Sequence, residues 1–418
     1  MPDTKGVVVK KGALLSITID SVAFGGQGVG RHGDLVVFVP FTVDGDEGLI
    51  EVAEVKKSYV RGALKTLTAF SPWRTEPPCA VYGRCGGCQY QHVTYDHQLA
   101  LKRQHIQDAF ARIGKFIRIP LRDIIPSPSP WHYRGKAEFH VTRTPDQTIV
   151  VGLARAASHE ILDISHCEIV APDINDDLVL LRRRVQATSK KKIDQREVLW
   201  SSEGSAATPP GYIGRMVKGR ELLVPRRSFF QANRLLAETL LDVVLEMCAL
   251  TGVETVIDSY CGSGFFSVFL VPGARIFYGI EFAGDAVRAA DMNVKTAGFD
   301  QALFYEGDVG HVLKDVFVKA RQRVDVLVLD PPRIGLGLAV LSTVTQLRPS
   351  RIVYVSCNPA TMARDIHFLA DHGYTLEVLQ PLDMFPQTSH IEVVGLLTIP
   401  PNCQAGNVAE HLDELNQA

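Results

Sequence analysis

Apolar and polar residues alternate in short bursts over the first seventy positions, as in Leu15-Ser-Ile-Thr-Ile, Leu35-Val-Val-Phe-Val-Pro and Leu49-Ile-Glu-Val-Ala-Glu-Val. A period of two gives a strand one face for a core and one for water. Turns rich in Gly and Asp separate the bursts, Phe24-Gly-Gly-Gln-Gly-Val-Gly-Arg among them. About five short strands in this length predict a small β-barrel of the OB type. The pattern then lengthens. Tyr95 to Ile113 carries His97, Leu99, Leu101 and Ile106 at helical spacing, and strand-like pieces follow at Lys136–Arg143, Thr148–Leu153 and Glu197–Ser201.

From about Ser228 the texture changes again. A helix predicted over Ala232–Leu250 precedes strands at Thr255–Asp258, Arg275–Glu281, Ala302–Glu306, Val324–Leu329 and Arg351–Ser356. Strands separated by helical intervals predict a parallel sheet with crossover helices. Two further strands, Thr375–Gln380 and Ile391–Ile399, lack a long helix between them and predict an antiparallel hairpin at one edge. The chain therefore divides into a barrel over residues 1–68, a mixed α+β segment over 69–225 and an α/β domain over 226–418.

Composition narrows the function classes. The 418 residues carry a formal net charge of −2, no low-complexity tract and no apolar stretch long enough to span a bilayer. The first residues show no signal-peptide pattern, which predicts a cytoplasmic protein. The overall charge does not advertise a nucleic-acid binder, but the binding footprint of such proteins is local. Between Arg182 and Arg227 twelve Lys or Arg residues face four Asp or Glu, which points to a basic face. In the barrel, Lys56, Lys57, Tyr59, Arg61 and Lys65 interleave charge with an aromatic ring; a nucleic-acid surface and a lysine-protected strand edge both fit.

Three constellations carry chemistry. Val256-Ile-Asp-Ser-Tyr-Cys-Gly-Ser-Gly-Phe-Phe-Ser reads as strand, glycine turn and helix start, with the acidic Glu281 ending the next strand. That arrangement suits an adenosine-containing cofactor, and the missing third glycine favours one without a pyrophosphate. Gly307-Asp308 and Asp330-Pro-Pro-Arg333 follow later strands, and Cys357 ends the fifth, where the open edge of an α/β sheet receives ligands. A thiolate held there is a nucleophile facing substrate. Finally, Cys79, Cys85, Cys88 and the distant Cys167 could close on one zinc ion or an iron–sulfur cluster, and spacing does not choose between them.

Taken together the chain resembles the RNA 5-methyluridine methyltransferases of the RumA and TrmA type from about residue 14 to 399. The motifs are the TRAM-like barrel, Cys79-x5-Cys85-Gly-Gly-Cys88, Tyr133-Arg-Gly-Lys, Ser228-Phe-Phe-Gln-Ala-Asn, Asp258-Ser-Tyr-Cys-Gly-Ser-Gly, Asp330-Pro-Pro-Arg, Ser356-Cys-Asn-Pro-Ala-Thr and Asp383-Met-Phe-Pro-Gln-Thr-Ser-His-Ile-Glu392. The resemblance implies a class I S-adenosylmethionine methyltransferase domain behind an OB-fold TRAM barrel and a small iron–sulfur domain whose helix, about residues 93–115, packs on the catalytic domain. It implies Cys357 as nucleophile, Glu392 as general base, and Gln231, Tyr260, Phe265, Glu281, Asp308 and Asp330 around S-adenosylmethionine. Phe265 stands where relatives usually carry Asn or Thr, so only its backbone is expected to serve. The four cysteines would hold a 4Fe–4S cluster. The implied activity is C5 methylation of a uridine in RNA by a monomer, with 23S ribosomal RNA preferred and transfer RNA the alternative. A non-catalytic RNA-binding or RNA-folding protein is the reading from a different class.

Overall fold

The computed structural model describes residues 9–187, 193–202 and 208–400. Strands β1 (Leu14–Ala23), β2 (Gln27–His32), β3 (Leu35–Pro40), β4 (Glu47–Val55) and β5 (Tyr59–Ala69) close a barrel in the order β1-β2-β3-β5-β4. The alternation read from the sequence supplies its core: Leu15, Ile17, Ile19, Val37, Val39, Ile50, Val52 and Val60 are buried together. Gly28 and Gly30 permit the closure, because a Cβ at either would collide with the Thr42 hydroxyl or the Thr18 carbonyl.

Helix α1 (Tyr95–Arg112) joins the barrel to the rest of the molecule. Leu101 packs with Val22 and Val43 beneath the barrel, while Ile106 and Phe110 enter the core of the C-terminal sheet. His105 Nε2 meets the Val22 carbonyl oxygen at 2.8 Å, and His97 Nε2 lies 2.8 Å from Asp44 Oδ1.

In the middle of the chain β6 (Lys136–Arg143), β7 (Ile149–Ala154), β8 (Ile161–Asp163) and β9 (Asp194–Trp200) form an antiparallel sheet ordered β8-β7-β6-β9, with α2 (Pro172–Gln186) on one face. A ribbon of β10 (Tyr212–Val217) and β11 (Arg220–Pro225) follows. Neither α2 nor the ribbon was expected from the pattern, although both are signalled. Helix α2 opens with Pro172 and Asp173, and the ribbon turns on Lys218 and Gly219, both at positive φ (46° and 74°).

These elements break up the basic run. Arg182 grips Asp163 through two bonds of 2.8 and 2.7 Å, and Arg215 is buried with its Nη1 donating to the Ser201 carbonyl at 3.0 Å. Arg184 pairs with Glu197, Arg196 with Glu138 and Lys218 with Asp242. Among the described residues the run therefore mixes a buried arginine with ion-paired side chains. Lys190, Lys191, Lys192 and Glu203 of that run lie outside the described residues, as does Cys403.

The C-terminal part holds α3 (Ala237–Cys248), β12 (Thr255–Ser259), α4 (Ser267–Leu270), β13 (Ile276–Glu281), α5 (Gly284–Thr296), β14 (Ala302–Glu306) and α6 (Val309–Val312). It continues with β15 (Val326–Leu329), α7 (Leu338–Leu347), β16 (Arg351–Ser356), α8 (Pro359–Asp371), β17 (Thr375–Leu382) and β18 (Glu392–Thr398). Helix α3 begins five residues later than predicted, because Asn233 Oδ1 accepts from the N–H groups of Leu235 and Leu236 and holds the preceding turn open. The sheet order is β14-β13-β12-β15-β16-β18-β17. Its first five strands run parallel, and both β12 and β15 are buried along their whole length, as a sheet covered on both faces requires. The predicted hairpin inserts β18 antiparallel between β16 and β17, with Ser356 opposite Val393, Leu382 opposite Glu392 and a bulge between Leu376 and Val378. Among the described residues no helix is long and apolar enough to cross a membrane.

Candidate active site

The carboxyl ends of β12, β13, β14, β15 and β16 form one edge, and the predicted residues collect along it. Tyr260 follows β12 in a left-handed conformation (φ 63°), and Gly262 and Gly264 continue the turn at φ 55° and 82°. Nothing lies within 4 Å of a Cβ built on Gly262, so the turn presents bare backbone to open space. Glu281 is locked beside it: one carboxylate oxygen accepts from Gly262 N–H (3.1 Å) and the other from Ala283 N–H (2.8 Å). Asp308 caps α6 by accepting from His311 N–H at 3.0 Å. Burial, with the Asp308 and Asp365 carboxylates nearby, pushes the Tyr260 phenol up to about 12.

Beneath the turn Asp258 is fully buried, with one oxygen accepting from the Ser267 hydroxyl at 2.6 Å and the other without a hydrogen-bond partner. Burial and the Glu281 carboxylate push Asp258 up to about 7, and burial together with Asp258 does the same to Asp330. An edge carrying Glu281 and Asp330, with Asp258 buried beneath it, is electrostatically prepared for a cationic ligand, and an orphaned buried acceptor is unusual enough to need a reason. The ring of Phe265 faces the other way, buried against Phe230 (5.4 Å) and Phe266 (4.9 Å), which leaves only its backbone toward the turn. Gln231 is buried at the end of the Ser228-Phe-Phe-Gln segment, which is tied to the Tyr133-Arg-Gly-Lys segment by Gly135 N–H donating to the Ala232 carbonyl (2.9 Å) and Lys136 Nζ donating to the Ser228 carbonyl (2.6 Å).

Cys357 is half-buried at the tip of β16. Asn358 fixes it from behind: its side chain caps α8 by accepting from Ala360 N–H and donates to the Arg333 carbonyl, both at 3.1 Å. Pro359 then starts the helix, so the cysteine sits on a rigid strand-to-helix corner. Glu392 opens the neighbouring β18, one residue before the partner of Ser356, which brings the thiol and the carboxylate side by side across the ladder. Burial and the Glu392 carboxylate push the Cys357 thiol up to about 11, against the pull of Arg333. Burial and Asp330 push Glu392 well above the usual carboxylate range, again opposed by Arg333. The guanidinium of Arg333 is thus the cation shared by Cys357 and Glu392. The sequence reading assigned it no role, although it closes the Asp330-Pro-Pro-Arg motif. His390 is held near 4 by burial and by Arg333, Lys102 and Arg134, and is neutral.

Far from this edge in sequence, Cys79, Cys85, Cys88 and Cys167 all line one small pocket with Val81, Leu153, Ile164 and Ile169. Burial raises the thiols of Cys85, Cys88 (to about 12) and Cys167. The expected metal centre is not borne out as it stands. Among the described residues no group of three or more His, Cys, Asp or Glu side chains is drawn together in a way that could hold a metal ion. The four cysteines share the lining of one pocket and nothing more. Cys248 and Cys261 are buried elsewhere in the C-terminal part.

Comparison with known proteins gives a consistent result. A family model described as tRNA (Uracil-5-)-methyltransferase matches residues 215–399, and a TRAM domain model matches residues 8–65. An uncharacterized RNA methyltransferase of Halalkalibacterium halodurans is 32% identical over 94% of this chain and 98% of its own. Another, from Thermosynechococcus vestitus, is 33% identical over 94% of this chain and 99% of its own. Among solved structures, the Pyrococcus abyssi tRNA (uracil-54, C5)-methyltransferase in complex with S-adenosyl-L-homocysteine superimposes with a TM-score of 0.70 at 25% identity, covering 91% of this chain and all of that one.

Proposed function

Because the chain belongs to the S-adenosylmethionine-dependent RNA uracil-5-methyltransferase family, we propose that it methylates C5 of a uridine in 23S ribosomal RNA, with Cys357 as nucleophile and Glu392 as general base. The observation that carries this reading is the pairing of a rigidly held thiol and a buried carboxylate across β16 and β18, with Arg333 beside both. The cofactor supplies an electrophilic methyl group on a sulfonium centre. Gly262, Gly264 and Glu281 fit its adenosine part, and the carboxylates of Asp258 and Asp330 favour its positive charge; Tyr260, Gln231, Asp308 and the Phe265 backbone complete the proposed lining.

C5 of uracil is too weak a nucleophile to take that methyl unaided. The Cys357 thiolate adds to C6, and the electron pair of the C5–C6 double bond moves into an enolate that makes C5 nucleophilic. After C5 gains the methyl, Glu392 takes the C5 proton, the double bond re-forms and the thiolate is expelled. Arg333 lowers the cost of the thiolate at the first stage and of the carboxylate at the second. Both groups lie at the sheet edge, so a base stacked within RNA has to swing out to reach them.

Ribosomal RNA is the preferred reading, the barrel and the four-cysteine pocket offering surface to a folded RNA. The likeness to a transfer-RNA enzyme of Pyrococcus abyssi favours a second reading, transfer RNA. Incubation of the protein with labelled S-adenosylmethionine and either unmodified 23S or unmodified transfer RNA, followed by nucleoside analysis, is expected to give 5-methyluridine in the ribosomal RNA. Label confined to transfer RNA would reassign the substrate, and label in neither would overturn the reading.

The lining of one largely apolar pocket by all four cysteines supports a 4Fe–4S cluster held by Cys79, Cys85, Cys88 and Cys167, whose iron would offset the cost of burying thiolates. Anaerobically purified protein is expected to be brown and to contain iron, with the colour lost in Cys85→Ser and Cys88→Ser. One equivalent of zinc without iron would replace this assignment.

A further inference from the structure

The proposed base stands at the end of a segment, Asp383 to Ile391, that is gripped from outside its own sheet. Gln387 occupies the left-handed region (φ 66°) at the centre of the grip. Its carbonyl accepts from the N–H groups of Gln89 (3.0 Å) and Tyr90 (2.9 Å). Its own N–H donates to Gln98 Oε1, and its side-chain oxygen accepts from Gln98 Nε2, both at 3.0 Å. Two residues on, Ser389 N–H donates to Gln89 Oε1 at 3.3 Å. Upstream, Tyr133 donates its hydroxyl to the Pro386 carbonyl (3.0 Å), and Lys102 Nζ donates to Asp383 Oδ1 (2.6 Å) and the Phe385 carbonyl (3.0 Å).

These partners come from residues 89–133: Gln89 and Tyr90 directly after Cys88, Gln98 and Lys102 on α1, and Tyr133 beyond it. Gln98 is 1% exposed, so an amide it releases finds no water to replace it. Cys357 is held differently. Its anchors are β16, the Asn358 cap and the loop of Arg333, all within the C-terminal part.

We propose that Gln98 and Gln89 are positioning residues for Glu392, so that the part of the chain carrying the four cysteines sets the aim of the base and leaves the nucleophile alone. The proposal rests on the reading of Glu392 as the C5 base. Glu392 is the first residue of β18, paired with Leu382 of β17, and the segment anchored at Gln387 runs directly into it. A displacement of roughly 1 Å at a reacting group costs on the order of 10²-fold in rate. Loss of the Gln98–Gln387 exchange therefore slows proton removal from C5 while addition of Cys357 to C6 and methyl transfer proceed.

The test is a single-turnover time course with S-adenosylmethionine and substrate RNA, quenched into denaturant and resolved on a gel to follow covalent protein–RNA complex. For Gln98→Leu the complex is expected to form within about two-fold of the wild-type rate and to resolve about ten-fold more slowly, carrying methylated uridine. For Gln89→Ala, which removes the side-chain bonds to Ser389 N–H and to the Gly86 carbonyl, resolution is expected to slow about three-fold. Binding of S-adenosylmethionine by calorimetry reports that each variant is folded; if Gln98→Leu has lost it, the two rates of Gln89→Ala decide. Slower formation with unchanged resolution, or both rates as in the wild type, overturns the proposal. Accumulation in Glu392→Gln but in neither glutamine variant overturns it alone, whereas no accumulation in Glu392→Gln overturns the base assignment as well.

Discussion

Cys357→Ala is expected to lose turnover by on the order of 10⁴-fold or more and to form no covalent complex with RNA, because nothing remains to add to C6. The flanking geometry leaves no substitute: Ser356 is buried within β16 with its hydroxyl donating to the Asn358 carbonyl, and Cys261 is buried under the glycine turn. RNA carrying 5-fluorouridine sharpens the measurement, since fluorine cannot leave as a proton and the wild type should be trapped as a stable adduct. An adduct of equal yield with Cys357→Ala would show that another residue is the nucleophile. With the thiol pushed up to about 11, its reactive thiolate fraction rises with pH throughout the neutral range, so adduct formation should accelerate on the alkaline side.

Glu392→Gln has a different signature of comparable size. Turnover should fall by about 10²- to 10⁴-fold, the range general bases supply, yet the covalent complex should accumulate with its uridine already methylated. The sign of the electrostatic change supports this split. An ionised Glu392 opposes thiolate formation at Cys357, so a neutral amide in its place lowers the thiol's pKa and moves the rise of adduct formation to lower pH. The same substitution that stalls the last step should leave the first unimpaired at neutral pH. A variant that neither forms nor accumulates adduct would place Glu392 in addition or in folding.

Much of this arrangement was legible in the sequence because it follows from strand ends. In a parallel sheet the residues after each strand meet at one edge, so Glu281, Asp308, Asp330 and Cys357 could be grouped from the strand pattern, whereas Tyr260 and Gln231 came from the resemblance. The missing helix before the final strand predicted only the hairpin; Glu392 itself came from the resemblance, through the Asp383–Glu392 motif. Arg333 went unassigned because its importance lies in the field it creates at two other groups, and a field has no period. The hold of Gln98 on Gln387 was equally hidden, since 289 positions separate the partners and each alone reads as an ordinary polar residue. The partners within the basic run were hidden as well. Charge density was visible, but the acids opposing Arg182, Arg184 and Lys218 came from other elements.

The reversed strand makes the chemistry of this protein a question of parity. Side chains on β18 alternate between faces, and its ladder with β16 puts Val393 opposite Ser356. A one-residue slip of β18 caused by a gain or loss between Gln387 and Glu392 would bring Ile391 or Val393 to the place of Glu392 and turn the carboxylate to the opposite face. The sheet could still assemble, with its bulge between Leu376 and Val378 absorbing part of the slip. Such a molecule would keep its thiol, its glycine turn and its barrel, and would become a trap that seizes RNA without releasing it.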